Sequence, residues 1–118
     1  LGDATVFGAP NVVRGKSHTG KVVAADMVAA GLCTILASDY YYPSLLQAAF
    51  LLVARKTVSL PAAWALVAAN PAHAAGLTDR GEIAPGKRAD LVLVDDGDPA
   101  LPAVMATFVA GKPVFRAF

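Results

Sequence analysis

Apolar and polar positions change texture several times along the chain, and each change marks a predicted element. Residues 5–8 (Thr-Val-Phe-Gly) read as a short strand, and Ala9, Pro10 and Asn11 as a turn. Residues 21–30 are Ala-rich and predict a helix, with Gly31 as its natural C-terminal stop. Residues 32–37 (Leu-Cys-Thr-Ile-Leu-Ala) form an apolar run with a β-branched centre, the pattern of a buried strand. Strand, loop, helix, strand is a βα unit, so the two strands are expected to be parallel neighbours. After Tyr42-Pro43, Ser44 is placed to cap a helix over residues 45–56. Its apolar face is Leu45, Leu46, Ala48, Ala49, Leu52 and Val53, and Arg55 and Lys56 close its last turn. Ser59-Leu60-Pro61 opens a further helix with Pro61 in the first turn, running to about Ala69. Asn70 before Pro71 is biased out of the helix, and residues 71–75 give one more turn, closed by Gly76. Leu60 and Trp64 are the expected core anchors of this region.

From Leu77 the pattern becomes that of a β module. Turn clusters at residues 78–81, 84–87 and 95–99 separate and precede apolar runs at 89–94, 103–109 and 113–118. Gly111-Lys112 predicts a tight hairpin between the last two. So few strands are marginal alone, and they are expected to complete a sheet whose other strands come from elsewhere. Asp95, Asp96 and Asp98 lack the spacing and closing Glu of a calcium loop and read as a plain turn.

Composition sharpens this picture. The chain is 56% hydrophobic and 16% charged, with a mean hydropathy of +0.53. That is apolar for a free-standing domain of 118 residues. Much of the surface is therefore expected to be shared, with another copy in a homo-oligomer or with the rest of a larger fold. The chain opens without Met in mid-pattern, which favours a piece of a longer chain. A net charge of +1 carries no nucleic-acid footprint. The longest charge-free stretch, residues 57–78, is broken by Pro61 and Pro71 and holds Asn70 and His73, so no membrane span is expected. No signal peptide is evident, and the single cysteine, Cys33, reads as an inert core thiol of a reducing, cytoplasmic compartment.

The chemistry concentrates at two places. Asp39 is a lone acid just past the C-terminal tip of a buried strand, the edge where parallel α/β architectures handle ligands and metals. A plain strand-to-helix turn is the alternative reading of the same residue. Residues 11–20 form a donor-rich loop in which Arg14, Lys16, Ser17 and His18 lie around and between glycines. Such a loop reaches phosphate oxygens with side chains and backbone N–H groups alike, though it has no P-loop spacing and equally reads as a solvated basic loop. His73, flanked by alanines, reads as structural or surface-exposed.

Residues 60–77 followed by 81–94, with the run Gly81-Glu-Ile-Ala-Pro-Gly-Lys-Arg-Ala-Asp-Leu91, resemble the C-terminal end of amidohydrolase-superfamily enzymes. Residues 8–20 and 35–50 are similar to one branch of that superfamily, the diphosphatases that act on a phosphonate-bearing ribose 5-triphosphate in the carbon–phosphorus lyase pathway. The resemblance implies an α/β fold: the C-terminal part of a (β/α)8 TIM barrel plus strands of a small composite β-sandwich. Residues 1–76 would hold the last two βα units and C-terminal helices of the barrel, and residues 77–118 the closing strands of the sandwich. Asp39 would match the strand-8 aspartate, ligating a divalent metal, Zn or Mn, as one ion or two, and acting as catalytic base. The histidine ligands would come from the N-terminal remainder of the same enzyme, so the piece alone would be inactive. Arg14, Lys16, Ser17 and His18 would hold phosphate oxygens of the ribose phosphonate substrate, with a metal ligand or a local loop hydrogen bond as the other readings of His18, and Asn11 and Tyr40 would line the pocket or be structural. The alternatives that the same strands allow are a cyclic-amide hydrolase, a deaminase, or a catalytically silent structural relative.

Overall fold

The computed structural model describes residues 4–14 and 23–118. Strands β1 (Val6–Gly8) and β2 (Ile35–Ala37) pair in parallel, with Val6 opposite Ile35 and Gly8 opposite Ala37, as the βα pattern predicts. Between them lie helices α1 (Ala9–Arg14) and α2 (Ala24–Ala29). The helix at Ala9–Arg14 replaces the expected turn and the start of the expected loop. Pro10 does not oppose it, because a first-turn N–H has no partner within the helix and the ring presets a helical φ. Strand β2 is shorter than the apolar run that encodes it. The N–H groups of Leu32 and Cys33 both bond to Met27 O, closing the C-terminus of α2 around Gly31 at φ +73. Those amides are unavailable to a strand ladder, and Leu32 is 58% exposed rather than buried.

Helix α3 (Ser44–Ala54) packs across α1, and the buried core lies between them. Val12 and Leu52 are fully buried at this seam, joined by Ala9, Ala48 and Ala49 and by Leu36 of β2. Arg55 Nη1 donates to Val12 O at 3.1 Å, tying the end of α3 to α1. Ser44 does not cap the helix: the N-cap position falls to Pro43, and Ser44 lies inside, fully buried. Its Oγ donates instead to Tyr41 O at 2.6 Å and lies 3.3 Å from Ser38 O. Burial pushes the Cys33 thiol above its usual range, which suits an inert core residue.

Helix α4 (Leu60–Ala65) starts as expected, with Ser59 Oγ accepting from Ala62 N. It stops short of residue 69, and α5 (Ala69–Ala74) follows after a bend, taking Asn70 and Pro71 into its first turn. The Asn70 side chain explains the position of this bend, because Nδ2 donates to Thr34 O at 2.7 Å. Leu36 N also bonds to Leu66 O at 3.0 Å. Trp64 is half-buried and packs edge-on against Phe50 at 6.3 Å between ring centres. Leu60 is 43% exposed and does not anchor the core.

The remainder is an antiparallel sheet of β3 (Leu91–Asp95), β4 (Ala103–Val109) and β5 (Lys112–Arg116) in that order. The β4–β5 turn is Ala110-Gly111, one residue earlier than expected, since Lys112 already pairs with Val109. Both turn residues have positive φ, the conformation that matches the strand twist. Asp90 braces this turn: its Oδ1 accepts from Ala110 N at 2.9 Å and from Arg88 Nε at 2.8 Å. Among the strand residues of this sheet, only Ala106 is buried. An apolar groove of about 930 Å³ separates it from α4 and α5, lined by Leu60, Trp64, Ile83, Val92 and Phe108. Among the described residues, no helix is long and apolar enough to cross a membrane.

Candidate functional site

The C-terminal ends of β1 and β2 open onto one cleft of about 350 Å³, lined by Gly8, Asn11, Arg14, Asp39 and Tyr40. Parallel pairing places both strand tips on the same edge, and that alone brings Asp39 over residues some thirty positions earlier in the chain. Asp39 sits in the left-handed region at φ 54, which Asp tolerates better than most residues. The turn that holds it is fixed on both sides. Tyr41 N bonds to Ser38 O at 3.1 Å, and the buried Ser44 hydroxyl donates to Tyr41 O. The carboxylate is exposed, and among the described residues no hydrogen bond or ion pair engages it.

Arg14 closes the last turn of α1 and reaches over the cleft. Its guanidinium carbon lies 5.8 Å from the centre of the Tyr40 ring. An exposed cation–π contact of this kind contributes about 0.5–1 kcal/mol. The guanidinium carries five N–H donors, and a contact through its charge with the ring leaves donors for an oxyanion. Asn11 does more than line the pocket, because its Oδ1 accepts from Ala24 N at 2.8 Å and so ties α1 to the first residue of α2. The sequence reading left it open between the pocket wall and a structural role, and this bond supplies the second. Lys16, Ser17 and His18 lie outside the described residues.

The sequence reading passed over two features of this cleft. One is Gly8, whose place at a strand tip facing Asp39 follows only once the two strands are paired. The other is the Arg14–Tyr40 contact, which joins residues on different elements. The remaining candidates stay where the sequence put them. His73 is exposed on α5. Asp95 and Asp98 accept from Gly97 N and Ala100 N within their own turns. The larger apolar groove contains none of the β1 and β2 tip residues, and its two carboxylates are engaged, Glu82 with Lys87 and Asp90 with Arg88 and Ala110 N.

A divalent cation is the group that the resemblance implies. Among the described residues, no three His, Cys, Asp or Glu side chains come together as a ligand set. Asp39 by itself fits: it is an exposed, unengaged oxygen donor on a turn fixed by hydrogen bonds, and divalent cations take such ligands. The residues present therefore suit one ligand position and not a whole site.

Known proteins resemble this chain along most of its length. Residues 23–115 match the model of the amidohydrolase family. The chain is 52% identical over 95 residues to the alpha-D-ribose 1-methylphosphonate 5-triphosphate diphosphatase of Escherichia coli K12, covering 79% of this chain and 25% of that protein. It is 45% identical over 56 residues to an adenine deaminase of a Methylobacterium species, covering 48% of this chain and 10% of the deaminase. Among solved structures, an amidohydrolase from Thermotoga maritima superposes with a TM-score of 0.65 at 26% identity, over 86% of this chain and 29% of that one. The chain thus spans about a quarter of the diphosphatase it matches. Family match, sequence identity and superposed fold agree, and the chain belongs to the amidohydrolase family.

Proposed function

We propose that these residues form the closing part of a metal-dependent hydrolase that cleaves alpha-D-ribose 1-methylphosphonate 5-triphosphate to the 5-phosphate and pyrophosphate. In this reading residues 1–76 complete a (β/α)8 barrel, residues 77–118 complete a β-sandwich, and the N-terminal remainder of the enzyme brings the other metal ligands. The observation that carries the reading is the cleft at the strand tips, where a free carboxylate, Asp39, and a guanidinium, Arg14, face the same space. The identity to the diphosphatase over 79% of the chain supports the substrate class.

Each residue then has a chemical task. Asp39 offers a carboxylate oxygen as one ligand, and a bound divalent ion would lower the pKa of water and offset phosphate charge. The second oxygen of Asp39 accepts the proton of the attacking water. A bond forms from that water to the phosphorus nearest the ribose, the bridging oxygen leaves with pyrophosphate, and Asp39 returns the proton to it. Arg14 holds phosphate oxygens through its N–H donors while its contact with the Tyr40 ring keeps it over the cleft. Lys16, Ser17 and His18 add donors to the same phosphates, and Asn11 holds the two helices that flank their loop.

A deaminase is the second reading, favoured by the match to adenine deaminases over 48% of the chain. One experiment separates them. The complete metal-loaded enzyme carrying these residues is offered the ribose 5-triphosphate, adenine and a cyclic amide. Pyrophosphate release from the first is expected, with at least a hundredfold loss in Asp39→Asn. Ammonia release from adenine in its place would select the deaminase, and full turnover by Asp39→Asn would remove Asp39 from the chemistry.

A further inference from the structure

We propose that Gly8 is a positioning residue for Asp39: the missing side chain on β1 is the space in which the Asp39 carboxylate is seated. The inference rests on the reading of Asp39 as a ligand and base. It begins from the question of why position 8 is glycine. Backbone conformation does not require it, since Gly8 is absent from the positive-φ glycines, Gly31, Gly76, Gly81, Gly86 and Gly111. It is an ordinary strand residue, paired with Ala37 in the parallel ladder. In a strand interior glycine weakens the element, and one use that offsets this is close approach by another group.

The approaching group is Asp39. A Cβ built on Gly8 would meet Asp39 Oδ2 at 3.2 Å, Asp39 Cβ at 3.6 Å and Asp39 Cγ at 3.8 Å, and these are its three nearest neighbours. A methyl group at position 8 would therefore press on the carboxylate and not on backbone or core. The carboxylate is exposed and can yield by a few tenths of an ångström. The clash is mild for folding, yet it displaces the one group whose position matters to a ligand. The turn from the other side is rigid, with Asp39 at φ 54 and its flanking residues pinned by Ser44. Gly8 and that turn together leave the room in which the two oxygens lie, and since such sites tolerate only about 0.5 Å of displacement, a shift of a few tenths spends most of that tolerance.

The test compares wild type, Gly8→Ala, Asp39→Ala and the double variant in the complete enzyme. It reads Mn²⁺ affinity by calorimetry, kcat and KM for pyrophosphate release, and the thermal midpoint. Gly8→Ala should weaken Mn²⁺ binding about tenfold, within the range for groups that orient a ligand. It should lower kcat with KM little changed, and leave the thermal midpoint unchanged or raised. In the Asp39→Ala background, adding Gly8→Ala should change Mn²⁺ affinity no further, because the group it displaces is gone. Wild-type affinity and kcat in Gly8→Ala would overturn the proposal. So would additive losses in the double variant, or a Gly8→Ala protein that loses its fold. Wild-type Mn²⁺ affinity in Asp39→Ala would instead overturn the ligand reading beneath it, and the proposal with it.

Discussion

Replacing Leu52 with Ala tests whether the seam between α1 and α3 is what holds the cleft together. Leu52 is fully buried against the α1 side of the core, which includes Val12, and α1 carries both Asn11 and Arg14. The substitution removes roughly three methylene equivalents, worth about 0.8 kcal/mol each, or about 2.5 kcal/mol of transfer free energy. The surrounding alanines cannot move in to fill the space, so a cavity contribution brings the expected loss to about 3 kcal/mol. Leu60→Ala is the matched control, because Leu60 is 43% exposed and should cost less than half as much. Urea unfolding followed through Trp64, the sole tryptophan of these 118 residues, reports the difference as a midpoint shift at constant slope. Trp64 suits the purpose because it packs on Phe50 of α3. A Leu52→Ala loss below about 1 kcal/mol, or a Leu60→Ala loss as large, would refute a core centred on this seam.

Other perturbations reach different parts of the molecule. Arg14→Ala in the complete enzyme should raise KM for the triphosphate about tenfold or more, the weight of one hydrogen bond to a charged group, while metal content by elemental analysis stays the same. Lys56 ends α3 in the left-handed region at φ 57, with Thr57 N bonded to Leu52 O, the place usually held by glycine. Lys56→Gly should therefore raise the unfolding free energy by about 0.5–1 kcal/mol, and a lower value would show that the Lys56 side chain outweighs its strain. Asp90 has its carboxyl held below the usual range, first by Ala110 N–H and then by Arg88. A depressed folded value gives stability that is present above about pH 4 and lost as pH falls through the folded value. Asp90→Asn should flatten the thermal midpoint between pH 4 and pH 2, and an equally steep acid limb would assign the loss to other groups.

Where sequence and structure agree, a strong local signal has no competitor. Glycine at the ends of α2 and α5, the helix start at Ser59-Leu60-Pro61 and the turn clusters that bound the apolar runs after residue 90 all act within a few residues of themselves. Where they part, a neighbour has taken a backbone group. The apolar run at residues 32–37 loses its first half as a strand because Met27 O claims two of its amides. Ser44 has the composition of a cap, but the Ser38–Tyr41 turn offers its hydroxyl better acceptors. Asp39 was legible as a candidate because an acid at a strand tip is unusual in any context. Gly8 and the Arg14–Tyr40 contact were not, since their meaning exists only after β1 and β2 are side by side.

The bond from Leu36 N to Leu66 O closes the side of β2 that faces away from β1. That side is held by a helix bend rather than by another strand, through this bond and the one from Asn70 Nδ2 to Thr34 O. A further strand docking there would have to break both bonds and supply equivalents, each worth ~1 kcal/mol net. The bend thus acts as a doorstop: it shields the open margin from indiscriminate pairing, and Leu66, buried in the core with Leu36, would have to leave with it.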